Sequence, residues 1–225
     1  MPFYDELLDA TREAREAFLA IPALRLGCEG RVSREAYLAF LGQAYHHVRH
    51  TVPLLMACGS RLPARLEWLR AAVGEYIEEE MGHHEWILGD IEAAGGDARA
   101  VARAWPHPTT ERMVAYAYYT VDRCNPVGFF GMVLVLEGTS VQLATRAADA
   151  LQARLGLPDR AFTYLRSHGA LDQGHLQTYA NLMNRLEEEA DREAVIHAAR
   201  MFYGLYGDVF RALPVDESEA GRVSA

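Results

Sequence analysis

Apolar residues recur with the 3.6-residue period of an α-helix along almost the whole chain, and no stretch shows the alternation of a β-strand. Proline and glycine corners such as Arg61-Leu62-Pro63 and Gly156-Leu157-Pro158 interrupt this pattern. The spacing predicts seven helices, at about 3–19, 34–60, 65–94, 111–123, 127–154, 159–187 and 191–212. Seven helices with short connections indicate an all-α, antiparallel bundle. We expect one domain over residues 1–213 and a polar C-terminal tail over 214–225.

The charge of the chain argues against two classes of partner. The 22 basic and 31 acidic residues give a net charge of −9, and no basic tract is present, which argues against nucleic acid and anionic membrane surfaces. The longest apolar run, Gly128 to Leu136, is far shorter than the roughly 20 residues of a membrane span. The acidic N-terminal segment does not resemble a signal peptide. We therefore expect a cytoplasmic protein that is not bound to a membrane.

The cysteines and the absence of lysine argue against several kinds of site and reaction. Cys28, Cys58 and Cys124 are odd in number, widely spaced and without a CxxC motif, which argues against a disulfide framework or a zinc ribbon. We interpret each as a small core residue rather than a nucleophile. The chain contains no lysine, so mechanisms through a lysine Schiff base are excluded.

The segment that carries His168, Asp172 and His175 predicts a metal site. These residues stand at i, i+4 and i+7 of a predicted helix, so they fall within about 60° of one another on one face. Two imidazoles and a carboxylate form a ligand set for a first-row metal. Gly169 and Gly174 each cost this helix about 1 kcal/mol relative to alanine, and we expect a bound metal to hold the turn in place.

Two other predicted helices contribute further donors. Glu80 and His83 form an E-x-x-H pair, a spacing by which one helix offers a carboxylate and an imidazole to a metal, although His84 is an alternative to His83. Glu137 ends a run that is apolar on every face, so we expect it to be buried. A buried carboxylate is costly unless it protonates, pairs or binds a cation. A salt bridge to an arginine is the alternative to a metal for Glu137.

The full set of candidate ligands suits a dinuclear site. Six donors are too many for one tetrahedral zinc but suit two iron or manganese ions with open positions. Ferritin-like dinuclear sites use two E-x-x-H motifs. Glu137 does not belong to such a motif, because the residue three positions later is Ser140 instead of histidine. A dinuclear site on a different helical scaffold is therefore indicated, with the ligands Glu80, His83, Glu137, His168, Asp172 and His175.

These residues resemble the heme-oxygenase-like diiron oxidases and oxygenases, seven-helix proteins named for their fold. The resemblance rests on Glu80-x-x-His83, the lone Glu137 and His168-x3-Asp172-x2-His175, in the family's chain order, over roughly residues 35–210. It implies a heme-oxygenase-like fold and an enzyme that uses O2 to oxidise a small carboxylic acid, amino acid or amine. Oxidative decarboxylation, C–C cleavage and N-oxygenation are the implied reactions. The implied cofactor is two Fe(II) ions, or a manganese–iron pair, without heme.

Relatives on the same fold give competing interpretations. TenA-like thiaminase II proteins of pyrimidine salvage use a cysteine on the fifth helix, about where this chain has Val133 and Leu134, and Cys124 lies too early. True heme oxygenases need a proximal histidine on the first helix, which has none here. The p-aminobenzoate-forming branch of the diiron group depends on a lysine, which this chain lacks. A metal-binding bundle without turnover is a further alternative.

The remaining aromatic residues and histidines receive supporting roles. His46, His47 and His50 on the second predicted helix exceed the required ligand set, so we assign them to support of the ligands or to the surface. His107 and His197 are interpreted as structural. Core packing is the alternative for each residue predicted to line a substrate pocket, namely Tyr45, Tyr116, Tyr119, Phe130 and Met132. The resemblance also implies a homodimer whose ligand is a small molecule.

Overall fold

The computed structural model describes the backbone of residues 1–216 and the side chains of residues 1–168 and 176–216. Helices joined by short connections make up this part of the chain, which contains no strand. Its twelve α-helices are α1 (Phe3–Ala10), α2 (Arg12–Leu19), α3 (Pro22–Cys28), α4 (Arg34–Val48), α5 (Thr51–Arg61), α6 (Glu67–Glu80), α7 (His83–Ala93), α8 (Ala98–Arg103), α9 (Pro108–Arg123), α10 (Phe129–Leu155), α11 (Thr163–Met183) and α12 (Glu189–Arg211). Short 3₁₀ turns precede α6, α10 and α11, at Ala64–Leu66, Pro126–Gly128 and Asp159–Ala161.

The all-helical bundle prediction is confirmed, but three of the seven predicted helices are divided. The first is broken at Thr11, whose hydroxyl donates a hydrogen bond of 2.7 Å to the carbonyl of Leu7 instead of facing solvent. The second is broken between Val48 and Thr51, and the third at Met81-Gly82. Local helical periodicity continues across each break, so the sequence pattern merges the two pieces.

Two short helices occupy segments that the sequence pattern assigned to connections. Pro22 stands in the first turn of α3, where its missing N–H has no intrahelical partner to lose, so this proline begins a helix instead of only ending one. Asp97 caps α8 by accepting a hydrogen bond of 2.9 Å from the backbone N–H of Ala100. Ser33 caps α4 in the same way, by accepting a hydrogen bond of 3.1 Å from the backbone N–H of Ala36.

The long helix α10 forms the centre of the bundle and packs against α3, α11 and α12. Its contact with α12 is close because Gly131 has no side chain. A Cβ atom built on Gly131 would lie 2.5 Å from the backbone nitrogen of Ala199 and 2.7 Å from the carbonyl oxygen of Val195. The two helices can therefore approach at this point only while residue 131 is glycine.

The segment Pro126–Leu155 is long and apolar enough to cross a membrane, judged by length and composition alone. Half of its apolar stretch is buried against other helices, and the core helix of a soluble protein meets the same criterion. The apolarity of α10 is therefore accounted for by packing inside the bundle.

Candidate metal centre

Glu80 and His83 flank a sharp turn instead of lying on one continuous helix. Glu80 is the last residue of α6 and His83 is the first residue of α7. Gly82 makes the turn with a φ of +88°, a left-handed conformation that glycine adopts without steric cost. The turn brings Nδ1 of His83 to 3.1 Å from Oε2 of Glu80, within hydrogen-bond distance. The E-x-x-H pair thus meets through a helix break, which the spacing alone did not predict.

His168 of α11 completes a compact group with these two residues. One ligand atom each from Glu80, His83 and His168 lies within 4.8 Å of the other two. His83 is buried, whereas Glu80 and His168 are half-buried. The two imidazole rings are nearly perpendicular, at 78°, with their centres 4.9 Å apart. A carboxylate and two imidazoles at this separation form a nitrogen and oxygen donor set of the kind that binds iron or manganese.

The hydrogen bond of His168 to its own helix indicates which ring nitrogen carries the proton. Nδ1 of His168 lies 3.0 Å from the carbonyl oxygen of Tyr164, one turn earlier in α11. A carbonyl only accepts, so Nδ1 carries the proton and Nε2 carries the lone pair. Metal-binding histidines in proteins usually have their second nitrogen fixed in this way.

A buried aspartate anchors the helix that carries His168. Asp90 of α7 is 1% exposed, and its two carboxylate oxygens accept hydrogen bonds from the backbone N–H groups of Thr163 (3.1 Å) and Tyr164 (2.8 Å). Burial raises the pKa of Asp90, although these hydrogen bonds oppose the rise. The first turn of α11 is thereby tied to α7, the helix that begins with His83. No motif or spacing in the sequence points to Asp90.

Glu137 lies on α10 and lines the same cavity as Glu80 and His168. It is half-buried overall, and its Oε2 atom is shielded from solvent. Glu137 stands outside the three-residue group described above. Two predicted ligands of α11, Asp172 and His175, have side chains outside the described residues, while the backbone of α11 runs continuously through this segment.

The other histidines occupy several environments. His84 is half-buried near Tyr45 and stands outside the three-residue group. His46 and His47 are 5% and 3% exposed, so neither lies at the surface, because the end of α4 is covered by the bundle. Nδ1 of His50 lies 3.1 Å from the hydroxyl of Tyr118. His107 is structural: its side chain accepts a hydrogen bond from the backbone N–H of Thr109 at the start of α9.

The cavity beside the candidate metal centre has a volume of about 160 Å³. Met132, one of the residues predicted to line a substrate pocket, lies in its lining. The four aromatic residues proposed for the pocket are not among its described lining residues. Tyr119 is exposed, Tyr116 packs against Phe202, Phe130 packs against Tyr179, and Tyr45 packs against His46. They sit elsewhere because helical spacing defines a buried face but does not say which part of that face borders a cavity.

The cysteines differ in exposure. Cys28 and Cys58 are buried, as expected for small core residues, and Cys28 lines the cavity. Burial raises the pKa of both thiols. Cys124 is exposed, contrary to the core assignment, because it follows the last residue of α9 in a connection.

The sequence matches the model of a protein family described as iron-containing redox enzymes over residues 38–207. No curated protein matches it. The structure is similar to a domain of unknown function with a heme oxygenase-like fold from Shewanella denitrificans, with a TM-score of 0.80 and 20% identity over 91% of this chain and 88% of that one. It is also similar to a TenA homologue from Pseudomonas syringae (TM-score 0.77, 9% identity, 92% and 90%) and to heme oxygenase-1 from Synechocystis in complex with heme (0.71, 13%, 95% and 93%). The fold is therefore heme oxygenase-like.

Proposed function

Since the chain belongs to the iron-containing redox enzyme family, whose model covers more than half of its length, we propose that it is a non-heme diiron oxidase or oxygenase that uses O2 to oxidise a small organic molecule. The observation that carries this proposal is the group of Glu80, His83 and His168, whose donor atoms lie within 4.8 Å of one another beside a mainly apolar cavity. Manganese in place of one iron is compatible with the same donors.

The proposed ligand set adds Glu137, Asp172 and His175 to this group. Positions 172 and 175 follow His168 at i+4 and i+7 on the continuous helix α11, so they occupy the same helical face. Three carboxylates offset most of the charge of two Fe(II) ions, and three imidazoles supply neutral nitrogen donors. Two iron ions bound there supply Lewis acidity and the electrons for reaction with O2.

The protein's own residues fix the donors and limit the access of water. The Trp86 ring stacks on that of His83 with centres 4.1 Å apart, which covers one face of the imidazole. Tyr164 holds His168 both through its carbonyl and through a ring contact of 4.6 Å. Mainly apolar side chains line the adjoining cavity, so a substrate held there exchanges much of its contact with water for contact with these side chains.

Two alternatives on this fold have less support from the chain. A heme oxygenase requires a histidine from the first helix, whereas the first histidine in this sequence is His46 on α4. Thiol chemistry of the TenA kind needs a reactive cysteine beside the cavity. Cys28 is the described cysteine that lines it, and burial raises its pKa, which keeps the thiol protonated and unreactive. A Cys28→Ser variant is therefore expected to retain O2-dependent activity.

The proposal is tested by anaerobic titration of the purified chain with Fe(II), followed by mixing with O2. We expect two iron ions per chain, a coupled iron pair by Mössbauer spectroscopy and O2 consumption. His168→Ala is expected to lose this stoichiometry, while the matched control His197→Ala, at an exposed position of α12, keeps it. Binding of fewer than two iron ions, or full loading without O2 consumption across carboxylic acid, amino acid and amine substrates, would contradict the proposal.

A further inference from the structure

We propose, on the premise of the function above, that the substrate is a small, mainly apolar molecule with one hydrogen-bonding group, and that His47 is the positioning residue that binds this group. The proposal rests on the composition of the cavity and on the hydrogen bonds of its polar lining residues. It narrows the substrate class and adds a residue on α4 to a site otherwise built from α6, α7, α10 and α11.

The cavity fits a compact apolar molecule. Its volume of about 160 Å³ is close to the roughly 150 Å³ at which an apolar protein cavity binds benzene. Leu55, Met132, Leu136 and Phe210 represent the aliphatic and aromatic side chains that make up most of the lining. Its described lining residues include no arginine, so a free amino acid would find no cationic side chain there for its carboxylate.

Three polar residues of the lining already form hydrogen bonds within the protein. The hydroxyl of Tyr37 donates a hydrogen bond of 2.7 Å to the carbonyl of Ala161. The hydroxyl of Thr139 donates one of 2.5 Å to the carbonyl of Val135, and His168 donates to Tyr164. Such groups are already satisfied, so they have little left to offer a ligand.

His47 differs from these residues. It lines the cavity, is only 3% exposed, and its Nδ1 atom is buried without a hydrogen-bond partner in the described part of the chain. Tyr206 packs against the ring edge to face, at 5.7 Å and 78°. A buried polar atom without a partner costs about 1–3 kcal/mol. Nδ1 itself is shielded, so the ring has to turn about its Cβ–Cγ bond to present this atom to the cavity. A ligand group that then satisfies the atom recovers part of that cost on binding.

The imidazole of His47 is neutral at physiological pH. Burial lowers its pKa to about 3, and the nearby histidines His168, His50 and His46 contribute to the decrease. A neutral imidazole has one N–H donor and one lone pair, so it can accept from a hydroxyl or donate to an oxygen. Because it carries no charge, it selects for a hydrogen-bonding group without attracting anions in general.

Binding of phenol and benzene tests the proposal, since the two rings differ by one hydroxyl group. Dissociation constants are measured by calorimetry with the full chain, first without metal and then loaded with Fe(II). We expect phenol to bind the unaltered protein about tenfold more tightly than benzene, as one hydrogen bond in a buried site provides. His47→Phe is expected to abolish this preference and His47→Gln, which keeps hydrogen-bonding atoms, to retain part of it.

The matched control is His46→Phe, because His46 is equally buried on the same helix but does not line the cavity. It is expected to keep the tenfold preference. If His47→Phe does not fold, His47→Met provides the same comparison with a flexible apolar side chain. Equal affinities for phenol and benzene in the unaltered chain, or an unchanged preference in the apolar variants, would overturn the inference. Because binding is measured without metal as well, this result is independent of whether iron loading and O2 consumption succeed.

Discussion

Two buried aspartates, Asp90 and Asp191, hold distant parts of the bundle together by different means. Each is 1% exposed. Asp90 accepts hydrogen bonds from two backbone N–H groups at the start of α11. Asp191, in the first turn of α12, binds the guanidinium of Arg65 at 2.6 and 3.2 Å and the amide of Asn125 at 2.7 Å. One carboxylate is therefore stabilised by a helix N-terminus and the other by a cation.

The pKa values of the two aspartates shift in opposite directions. Burial raises the pKa of each carboxyl group, and the backbone hydrogen bonds of Asp90 do not outweigh that rise. At Asp191 the hydrogen bonds from Arg65 and Asn125, with the charge of Arg65, outweigh burial and leave the pKa below its usual value. Arg65 is not among the described lining residues of the cavity beside the candidate metal centre. Beside the candidate metal centre, an anchor without a cation avoids a positive charge that would repel a metal ion.

Loss of the Asp90 anchor is expected to have the largest effect. Asp90→Ala removes the acceptors for Thr163 and Tyr164, and Tyr164 in turn holds His168. We expect iron affinity to fall about 10- to 100-fold, as when a group that supports a metal ligand is removed. The free energy of unfolding should fall by about 2 kcal/mol through loss of the cap. Fe(II) titration and urea unfolding measure the two effects. Unchanged iron affinity would show that Asp90 does not position the ligand.

The equivalent change at Asp191 is expected to affect stability alone. Asp191→Ala leaves Arg65 and Asn125 without their shared partner, and the free energy of unfolding should fall by about 2 kcal/mol. Arg65 is 40% exposed, so water replaces part of the lost interaction. Iron affinity should stay within twofold of the unaltered protein. A drop in affinity comparable with that of Asp90→Ala would remove the distinction between the two anchors.

Acidification should distinguish the two carboxylates by the sign of their effects. The pKa of Asp191 is lower in the folded state, so its stabilisation is present above its unfolded pKa of about 4 and is lost as pH falls through the folded value. In the Asp191→Asn variant, the free energy of unfolding should therefore decrease less as the pH falls. The pKa of Asp90 is raised, so its contribution declines as pH rises through the folded value, and Asp90→Asn should remove that decline. Urea unfolding between pH 3 and 7 provides the measurement. Changes of the same sign in both variants would contradict this assignment.

The sequence pattern predicted the helical class of the fold because period and turn chemistry are local properties. It also predicted that Glu80 and His83 belong together. It did not predict the anchor, because Asp90 contacts residues 73 and 74 positions later in the chain. Helical spacing gives no information about such a distance. The cavity lining was missed for a related reason, since Tyr116 and Phe130 lie on buried helix faces that pack against other helices.

The sequence predicted only part of the environment of His47. Its position in Tyr45-His46-His47 suggested support of the ligands or surface exposure, and the structure excludes the surface because the residue is 3% exposed. Two adjacent histidines on a helix point about 100° apart, so one covered helix end can bury both while only one borders a cavity. That distinction depends on which helices cover the end of α4, which is a tertiary property.

The smallest expected effect distinguishes a glycine turn beside the candidate metal centre from one elsewhere in the bundle. Gly82 and Gly156 both have left-handed backbones, with φ of +88° and +64°, and a Cβ atom on either would meet nothing within 4 Å. Alanine at either position should therefore lower the free energy of unfolding by about 1 kcal/mol, because a residue with a Cβ atom disfavours the left-handed backbone. Gly82 lies between Glu80 and His83, so Gly82→Ala should also weaken iron binding several-fold, whereas Gly156→Ala, between α10 and α11, should not. Equal iron affinities in the two variants, at equal loss of stability, would mean that the turn at Gly82 does not set the geometry of the Glu80–His83 pair.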